Sequence, residues 1–192
     1  MAGGPSRVAL FGGSFNPPHV AHQLVALYVL ETAAVDELWF IPAFQHPFDK
    51  PLESFDDRFE MCQLAAAALG PRVRVSDIEA RLAGPSRTLR TAQKLIEEHP
   101  QTRFSLVIGS DLARETATWH GADELARLIS FIVVARAGHA AAAAAPAGAV
   151  AMPAVSSTEI RAALASGRGV DALLPKSVLD YVLAHGLYGS RQ

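Results

Sequence analysis

The sequence is poor in several features that would each define a class of protein. Cys62 is its single cysteine, which excludes a disulfide framework and a zinc site made of four cysteines. Basic residues are not in excess, because 17 Lys and Arg stand against 19 Asp and Glu, for a formal net charge of −2. We therefore expect no broad basic face and no nucleic acid partner, although a local basic pocket is still allowed.

Long apolar runs are also missing. The longest stretch without charged or polar side chains covers residues 140–155, and it is mostly alanine with Pro146, Gly148 and Pro153. It is shorter than a membrane span and contains helix breakers, and the N-terminal residues show no signal peptide. These absences predict a cytoplasmic protein without a membrane partner, in which residues 140–149 form a low-complexity connector.

Apolar and charged residues occur in proportions typical of a folded chain, at 50% and 19% of 192 residues. Short apolar runs alternate with segments of helical pattern. The sequence therefore predicts a doubly wound, mainly parallel α/β sheet of Rossmann-like type in a single domain, residues 1–192, with 156–192 as its C-terminal helical part. Strands are predicted at 8–11, 38–41, 73–75, 104–108 and 131–135, and helices at 20–32, 58–69, 88–99, 122–128, 158–166 and 176–185.

The loop after the first predicted strand carries the clearest chemical pattern. It reads Gly-Gly-Ser-Phe-Asn-Pro-Pro-His-Val-Ala-His from Gly12 to His22. The glycines allow backbone N–H groups to approach an anion, and the next helix adds the positive end of its dipole. If His19 and His22 lie in the first helical turn they share one face, and the loop then suits a phosphate. Two alternatives stay open: a tight turn with incidental histidines, and a metal pair, for which no third ligand is obvious.

A second anion site is predicted before the helix at 158–166. Ser156, Ser157 and Thr158 lie at its N-terminus, where backbone N–H groups favour negative charge. Arg161 follows one turn later, and a guanidinium can hold two oxygens of one anion. In the alternative interpretation, Ser157 or Thr158 only caps the helix and Arg161 faces solvent.

The ends of two later strands supply further candidates. Gly109 ends one predicted strand and permits the close approach of a ligand. Asp111 could accept hydrogen bonds from ribose hydroxyls, or it could only cap the next helix. Arg136 ends the last predicted strand, where it could reach a phosphate or form a surface ion pair.

Taken in chain order, these motifs resemble a known family. The loop pattern is similar to the signature of the nucleotidyltransferase superfamily that carries the His-x-Gly-His motif, and residues 8–188 most resemble the bacterial nicotinate mononucleotide adenylyltransferases. The supporting segments are Ile41-Pro42 followed by Lys50 and Arg58, Gly84-Pro85-Ser86-Arg87-Thr88, Ile108-Gly109-Ser110-Asp111, Trp119, Ser156-Ser157-Thr158-Glu159-Ile160-Arg161, and Gly186-Leu187-Tyr188.

The resemblance implies a reaction, its partners and its cofactor. The 5′-phosphate of nicotinate mononucleotide would attack the α-phosphate of ATP and release pyrophosphate, giving nicotinate adenine dinucleotide, a precursor of NAD. Positioning and electrostatics would supply the rate, without a covalent enzyme intermediate. Mg²⁺ is expected with the ATP, held mainly by phosphate oxygens and water. A homo-oligomer is allowed but not specified.

The resemblance also implies residue roles. His19 and His22 would contact the ATP phosphates, Arg161 the leaving pyrophosphate, and Trp119 the pyridine ring. Lys50 of the second loop would contact a phosphate, or it could instead be a solvated surface residue. Trp119 could instead be a core residue. The catalytic set is His19, His22, Lys50 and Arg161; the ATP-binding set is Gly12, Gly13, Ser14, Phe15, Gly109, Asp111, Ser156, Ser157 and Thr158; the acceptor-binding set is Thr88 through its backbone, Arg87, Trp119 and Arg136.

Several positions depart from the family pattern. Asn16 stands where Asp is frequent, and both residues suit a turn. Ala21 stands where Gly is frequent, and alanine suits a helix. The second loop lacks a usual histidine, so the register of Lys50 is open and His46 could substitute. Arg87 stands where Tyr is usual. If its side chain points inward, it would favour the anionic nicotinate over the neutral nicotinamide.

Other functions stay open beside this one. The nearest alternative keeps the reaction and takes nicotinamide mononucleotide as acceptor. Phosphopantetheine is less favoured, because the relatives that use it tend to be shorter and lack a stacking residue like Trp119. A nucleotide-binding module without catalysis belongs to a different class, and the presence of His19, His22 and Arg161 disfavours it.

Overall fold

The computed structural model describes residues 6–45, 51–82, 84–113, 115–137 and 150–190. Five strands within these ranges form one parallel sheet in the order β3-β2-β1-β4-β5. The predicted doubly wound sheet is confirmed, and the strand order reverses between β1 and β4. The strands are β1 (Arg7–Gly13), β2 (Glu37–Pro42), β3 (Val73–Val75), β4 (Arg103–Gly109) and β5 (Ser130–Val134).

Seven α-helices are described. They are α1 (Val20–Thr32), α2 (Phe55–Ala67), α3 (Ile78–Leu82), α4 (Thr88–Glu98), α5 (Ala122–Leu128), α6 (Ser157–Ala165) and α7 (Lys176–Ala184), with 3₁₀ turns at Thr116–Thr118 and Leu187–Gly189. The predicted bounds of α1, β3 and α5 are confirmed. Within the described ranges, no helix is both long and apolar enough to span a membrane.

The largest differences from the predicted helices are at α2 and α3, whereas the bounds of α4, α6 and α7 differ from the prediction by one residue. Helix α2 begins three residues before Arg58, because the Ser54 hydroxyl accepts a hydrogen bond from the Asp57 N–H at 3.0 Å and caps the helix. Helix α3 was not predicted at all. Five residues are too few to show a helical period in the sequence, so its existence depends on packing that only the fold supplies.

Helices cover both faces of the sheet. On β1, Ala9 faces a cluster with α1 and α2, whereas Val8 and Leu10 face a cluster with α4 and α5. Alternate residues of a strand point to opposite faces, so a strand covered on both sides is apolar throughout. This is why the central strands are continuous apolar runs in the sequence.

The C-terminal helices pack on α2 and extend to the loop after β1. Met61 of α2 is buried in one cluster with Ile160 of α6 and Val178 of α7. The first N–H of α1, on Val20, donates to the carbonyl of Leu173 at 3.0 Å. The hydroxyl of Ser157, the first residue of α6, donates to the carbonyl of Pro17 at 3.0 Å. The start of α6 therefore lies against the loop that leads into α1, at the carboxyl end of β1, where ligands bind in open parallel sheets.

Candidate active site

Three cavities adjoin at the carboxyl ends of β1 and β4. The histidine cavity, of about 180 Å³, is lined by residues that include Gly12, His19, His22, Gly109, Asp111 and Arg136. The tryptophan cavity, of about 250 Å³, is lined by residues that include Gly12, Gly13, Ser14, Glu79, Ser86, Thr88, Thr91 and Trp119. The serine cavity, of about 230 Å³, is lined by residues that include Ser14, Phe15, Asn16, His19, His22, Arg136, Ser156, Ser157, Thr158 and Arg161.

The loop after β1 lies at the junction of the three cavities. Phe15 has a left-handed backbone with φ of 46° and is 2% exposed, because its ring turns into the core. A Cβ at Gly13 would lie 3.2 Å from that ring, so a larger residue at 13 would crowd it. With the ring buried, the backbone of Gly13 and Ser14 is left to line the cavities.

His19 and His22 lie at the start of α1, as its N-cap and its third residue. Their rings stack with centroids 3.7 Å apart. The backbone N–H of His19 donates to Nδ1 of His22 at 3.0 Å. Because that nitrogen accepts, a neutral His22 carries its proton on Nε2. The backbone thereby fixes which nitrogen of His22 can donate to a ligand.

Both imidazoles are uncharged in this site at neutral pH. Burial, followed by the charge on Arg136, lowers the pKa of His19 to about 4. Burial, followed by the charges on His19 and Arg136, lowers the pKa of His22 well below its ordinary value. Within the described ranges, Nδ1 of His19 is buried without a hydrogen-bond partner. An unsatisfied buried nitrogen beside an arginine leaves a polar contact for a ligand to complete.

Arg136 forms an ion pair with Asp111 in the histidine cavity. Nη1 of Arg136 lies 2.9 Å from Oδ2 of Asp111, and the two side chains are 41% and 20% exposed. The next helical turn, Thr116–Thr118, begins after Glu115, so the alternative in which Asp111 caps it is wrong. A side chain at Gly109 would collide with the Asp111 carboxylate. Oδ1 of this carboxylate is buried with no partner among the described residues.

The start of α6 forms one wall of the serine cavity. Its N-cap is Ser156, so the alternative in which Ser157 or Thr158 caps the helix is wrong. The Ser156 side chain makes no capping hydrogen bond, and the Ser157 hydroxyl donates to the carbonyl of Pro17 at 3.0 Å. The first turn of the helix therefore keeps backbone N–H groups without a side-chain cap, beside a cavity that carries hydroxyls.

Arg161 is held in the serine cavity and does not point freely to solvent. Its Nη1 donates to the carbonyl of Asn16 at 2.8 Å, and its Nη2 donates to the hydroxyl of Thr158 at 3.2 Å. A guanidinium has five N–H donors, so others are left for an anion. The geometry therefore brings Arg161, His19 and His22 to one cavity, although His22 and Arg161 are 139 positions apart in the sequence.

The tryptophan cavity contains a buried acid that sequence reasoning missed. Glu79 of α3 is 6% exposed, and the hydroxyl of Thr91 donates to its carboxylate. Thr88 and the half-buried Trp119 also line this cavity, and Trp119 packs against the adjacent core cluster. Arg87 is exposed at the N-cap of α4 and is not among the lining residues. The condition for its predicted effect, an inward side chain, is not met.

Arg58 joins the loops that surround the cavities. It is 1% exposed and donates to four backbone carbonyls at 2.8–3.3 Å. Burial lowers the pKa of Arg58. The four acceptors are the carbonyls of Ser14, Ala43, Phe44 and Glu53. In the sequence, only the resemblance drew attention to Arg58, because nothing in its local pattern shows a buried cation.

Some predicted features lie outside the described residues. Lys50 and His46 of the second loop are among them, as is the predicted connector at 140–149. The role of Lys50 therefore stays a prediction.

Comparisons with known proteins agree with this geometry. A family model described as cytidylyltransferase-like matches residues 10–163. The chain is 50% identical over 191 residues to a probable nicotinate-nucleotide adenylyltransferase of Anaeromyxobacter dehalogenans (strain 2CP-C), over 98% of this chain and 99% of the relative. It is 40% identical over 189 residues to a probable nicotinate-nucleotide adenylyltransferase of Myxococcus xanthus (strain DK1622), over 97% and 96% of the two chains.

A solved structure supports the fold. Plasmodium falciparum nicotinic acid mononucleotide adenylyltransferase complexed with NaAD superposes with a TM-score of 0.80 at 20% identity, over 97% of this chain and 98% of that one. The likeness at this identity concerns the fold alone. Because the family model spans most of the sequence and the two bacterial relatives match nearly its full length, this chain belongs to the cytidylyltransferase-like family and, within it, to the nicotinate-nucleotide adenylyltransferases.

Proposed function

We propose that this protein transfers the adenylyl group of ATP to nicotinate mononucleotide, giving nicotinate adenine dinucleotide and pyrophosphate for the synthesis of NAD. One observation carries the proposal: His19, His22 and Arg136 line the histidine cavity and the serine cavity at once, and Gly12 connects the histidine cavity to the tryptophan cavity. A site for joining two nucleotides needs two binding cavities that meet where phosphates can react. The names of the curated relatives supply the identity of the two substrates.

The histidine and serine cavities are proposed to hold ATP. An oxygen of the acceptor's 5′-phosphate would form a bond to the α-phosphorus of ATP. The bond between that phosphorus and the oxygen that bridges it to the β-phosphorus would break, and pyrophosphate would leave. Nε2–H of His22 would donate to a phosphate oxygen, and His19 and Arg136 would complete the contacts as negative charge moves to the leaving group. Arg161, beside the first turn of α6, would bind the departing pyrophosphate.

The remaining ATP contacts are assigned to residues because they line the cavities. Asp111, with one buried oxygen unpaired, would accept ribose hydroxyls. Because Gly109 has no side chain, it leaves the space that the Asp111 carboxylate occupies. The proposed backbone and hydroxyl contacts come from Gly12, Gly13, Ser14, Phe15, Ser156, Ser157 and Thr158.

The tryptophan cavity is proposed to hold the pyridine nucleotide. Trp119 would stack on the pyridine ring, since flat aromatic rings pack face to face with an offset. The N–H groups at the start of α4, at Thr88, would donate to the nicotinate carboxylate, because no side chain caps this helix. The described lining of the tryptophan cavity contains the carboxylate of Glu79 and no arginine. Backbone donors are therefore proposed to offset the negative charge of the substrate.

Mg²⁺ is proposed to enter with ATP. Within the described ranges, no three His, Cys, Asp or Glu side chains are grouped to hold a metal ion, and Asp111 is already paired with Arg136. These residues fit a cation held by phosphate oxygens and water. When bound, the cation would neutralise charge on the transferred and leaving phosphates.

The decisive experiment measures pyrophosphate release from ATP and Mg²⁺ with three acceptors in parallel: nicotinate mononucleotide, nicotinamide mononucleotide and phosphopantetheine. Release with the nicotinate substrate, together with nicotinate adenine dinucleotide as product, is the expected result. Equal release with both pyridine nucleotides would keep the reaction and remove the acceptor selectivity. A folded protein that binds ATP and releases pyrophosphate with none of them would be a binding module.

A further inference from the structure

Asn16 connects four segments of the chain beside the phosphate-binding residues. It is 3% exposed. Its side-chain Oδ1 accepts from the N–H of Glu53 at 3.2 Å and from the hydroxyl of Tyr188 at 2.9 Å. Its backbone carbonyl accepts from Nη1 of Arg161 at 2.8 Å. One residue thus links the loop after β1 with the start of α2, with α6 and with the C-terminal turn.

The backbone near this residue is unusual in two places that meet at Asn16. Among the described non-glycine residues, only Phe15 and Tyr188 have positive φ, at 46° and 58°. Phe15 precedes Asn16 in the chain, and Tyr188 donates a hydrogen bond to it. A left-handed conformation is unfavourable for a bulky residue and persists only where other contacts hold it.

The Tyr188 hydroxyl is suited to be a permanent donor. Burial, followed by the carboxylate of Glu53, raises the pKa of Tyr188. The phenol therefore keeps its proton throughout the neutral range. Asn16 can accept this bond only when the C-terminal turn is docked, so the turn and the loop after β1 are held in place together.

We propose that Tyr188 is a positioning residue for adenylyl transfer: by holding Asn16 it sets the placement of Arg161 relative to His19. The role depends on the proposed function, because it concerns the phosphates of that reaction. Tyr188 does not line any of the three cavities, and Arg161 reaches the serine cavity while bonded to Asn16. A shift in Asn16 would therefore move the guanidinium away from the histidines without touching the acceptor.

The test is Tyr188→Phe, which removes one hydroxyl and keeps the ring. We expect kcat to fall about tenfold, with the KM for nicotinate mononucleotide within about twofold, because the contact acts on the phosphate side only. Tyr181→Phe is the matched control. Tyr181 also lies in the C-terminal part and donates to a side-chain oxygen, but its acceptor is Oδ1 of Asp57, at 3.0 Å, and not Asn16. Its kcat should equal that of the unmodified protein.

A double-mutant cycle separates positioning from folding. In an Asn16→Ala background, Tyr188→Phe should cause little further loss of kcat, because the acceptor is already gone. Turnover is measured per folded molecule, with the folded fraction taken from urea unfolding. A Tyr188→Phe protein with normal kcat per folded molecule, an additive cycle, or a Tyr188→Phe protein that does not fold would each overturn the positioning role. An unmodified protein with no turnover would instead overturn the proposed function, and the positioning role with it.

Discussion

The histidine cavity and the tryptophan cavity adjoin at Gly12 but hold their polar groups in different ways. In the histidine cavity, the polar side chains are two imidazoles with depressed pKa values and an Arg136–Asp111 ion pair. In the tryptophan cavity, the Glu79 carboxylate accepts a hydrogen bond from Thr91, and the other polar lining groups are hydroxyls, backbone and the indole of Trp119.

The two cavities differ in whether their buried polar atoms already have hydrogen-bond partners. In the histidine cavity, two buried polar atoms have no partner within the described ranges, Nδ1 of His19 and Oδ1 of Asp111. Groups left unsatisfied in a protein core are stabilised when a ligand completes their hydrogen bonds. The tryptophan cavity instead offers an aromatic face and a helix start. The histidine cavity thus presents unpaired polar atoms, whereas in the tryptophan cavity the Glu79 carboxylate already accepts a hydrogen bond from Thr91.

The comparison predicts the largest effect for His22→Ala. We expect kcat to fall by about two orders of magnitude or more, because a donor to the transition state is lost. The KM of nicotinate mononucleotide should change little, since that substrate is proposed to bind in the other cavity. Steady-state kinetics of pyrophosphate release measure both values.

His185→Ala is the control for this variant. His185 is exposed at the end of α7, its ring stacks on Tyr181, and it is not among the residues that line the three cavities. It should keep its kcat. A folded His22→Ala protein that still turns over at the normal rate would show that His22 has no part in the chemistry.

The stability of the folded protein should depend on the protonation of His19 in mild acid. His19 in the unfolded chain has a pKa near its ordinary value of 6.5, whereas in the folded protein its pKa is about 4. Between these values the unfolded chain binds a proton that the folded protein does not. The free energy of unfolding should therefore fall as the pH is lowered from 6.5 towards 4, by up to about 1.4 kcal/mol per pH unit for this residue.

Urea unfolding at several pH values measures this slope. His19→Asn removes the titrating group and should give a shallower dependence in the same window. His22, whose pKa is lowered too, accounts for part of what is left. If His19→Asn has the same slope as the unmodified protein, His19 is not held neutral in the folded state. The described lining of the tryptophan cavity includes no histidine. The loss of stability between pH 6.5 and 4 should therefore come from the histidine cavity.

A third prediction tests the other cavity. Trp119→Ala should raise the KM of nicotinate mononucleotide by about fivefold to tenfold and change kcat less, because a stacking contact binds substrate and transition state alike. Trp39→Phe is the comparison. Trp39 packs against Phe104 in the core, so its replacement should lower the unfolding midpoint and leave the KM unchanged. A normal KM for Trp119→Ala would remove it from the acceptor site.

Much of the fold could be predicted because it depends on local patterns. The helix α1 and the short strand β3 have the predicted bounds, since apolar period and flanking residues mark both ends. Helix α3 could not be predicted, because five residues carry no readable period. Its burial of Glu79 arises from packing against α4, through Thr91, and not from any local signal.

The candidate site divides in the same way. The sequence placed His19 and His22 beside a glycine-rich turn, since that arrangement is local. It could not show the ion pair between Asp111 and Arg136, 25 residues apart, because either partner could equally face solvent. The same holds for the four carbonyls that Arg58 reaches, which only the folded chain brings together.

The smallest expected effect is that of Arg87→Ala, and it tests where acceptor selectivity lies. The Arg87 side chain is exposed and does not line the tryptophan cavity, so its charge is screened by water from any ligand there. The ratio of kcat/KM for nicotinate and nicotinamide mononucleotides should stay within about twofold of normal. A clear loss of preference for nicotinate would mean that Arg87 reaches the bound substrate. An unchanged ratio would assign the selectivity to groups inside the cavity, where the N–H groups at Thr88 can donate to a carboxylate.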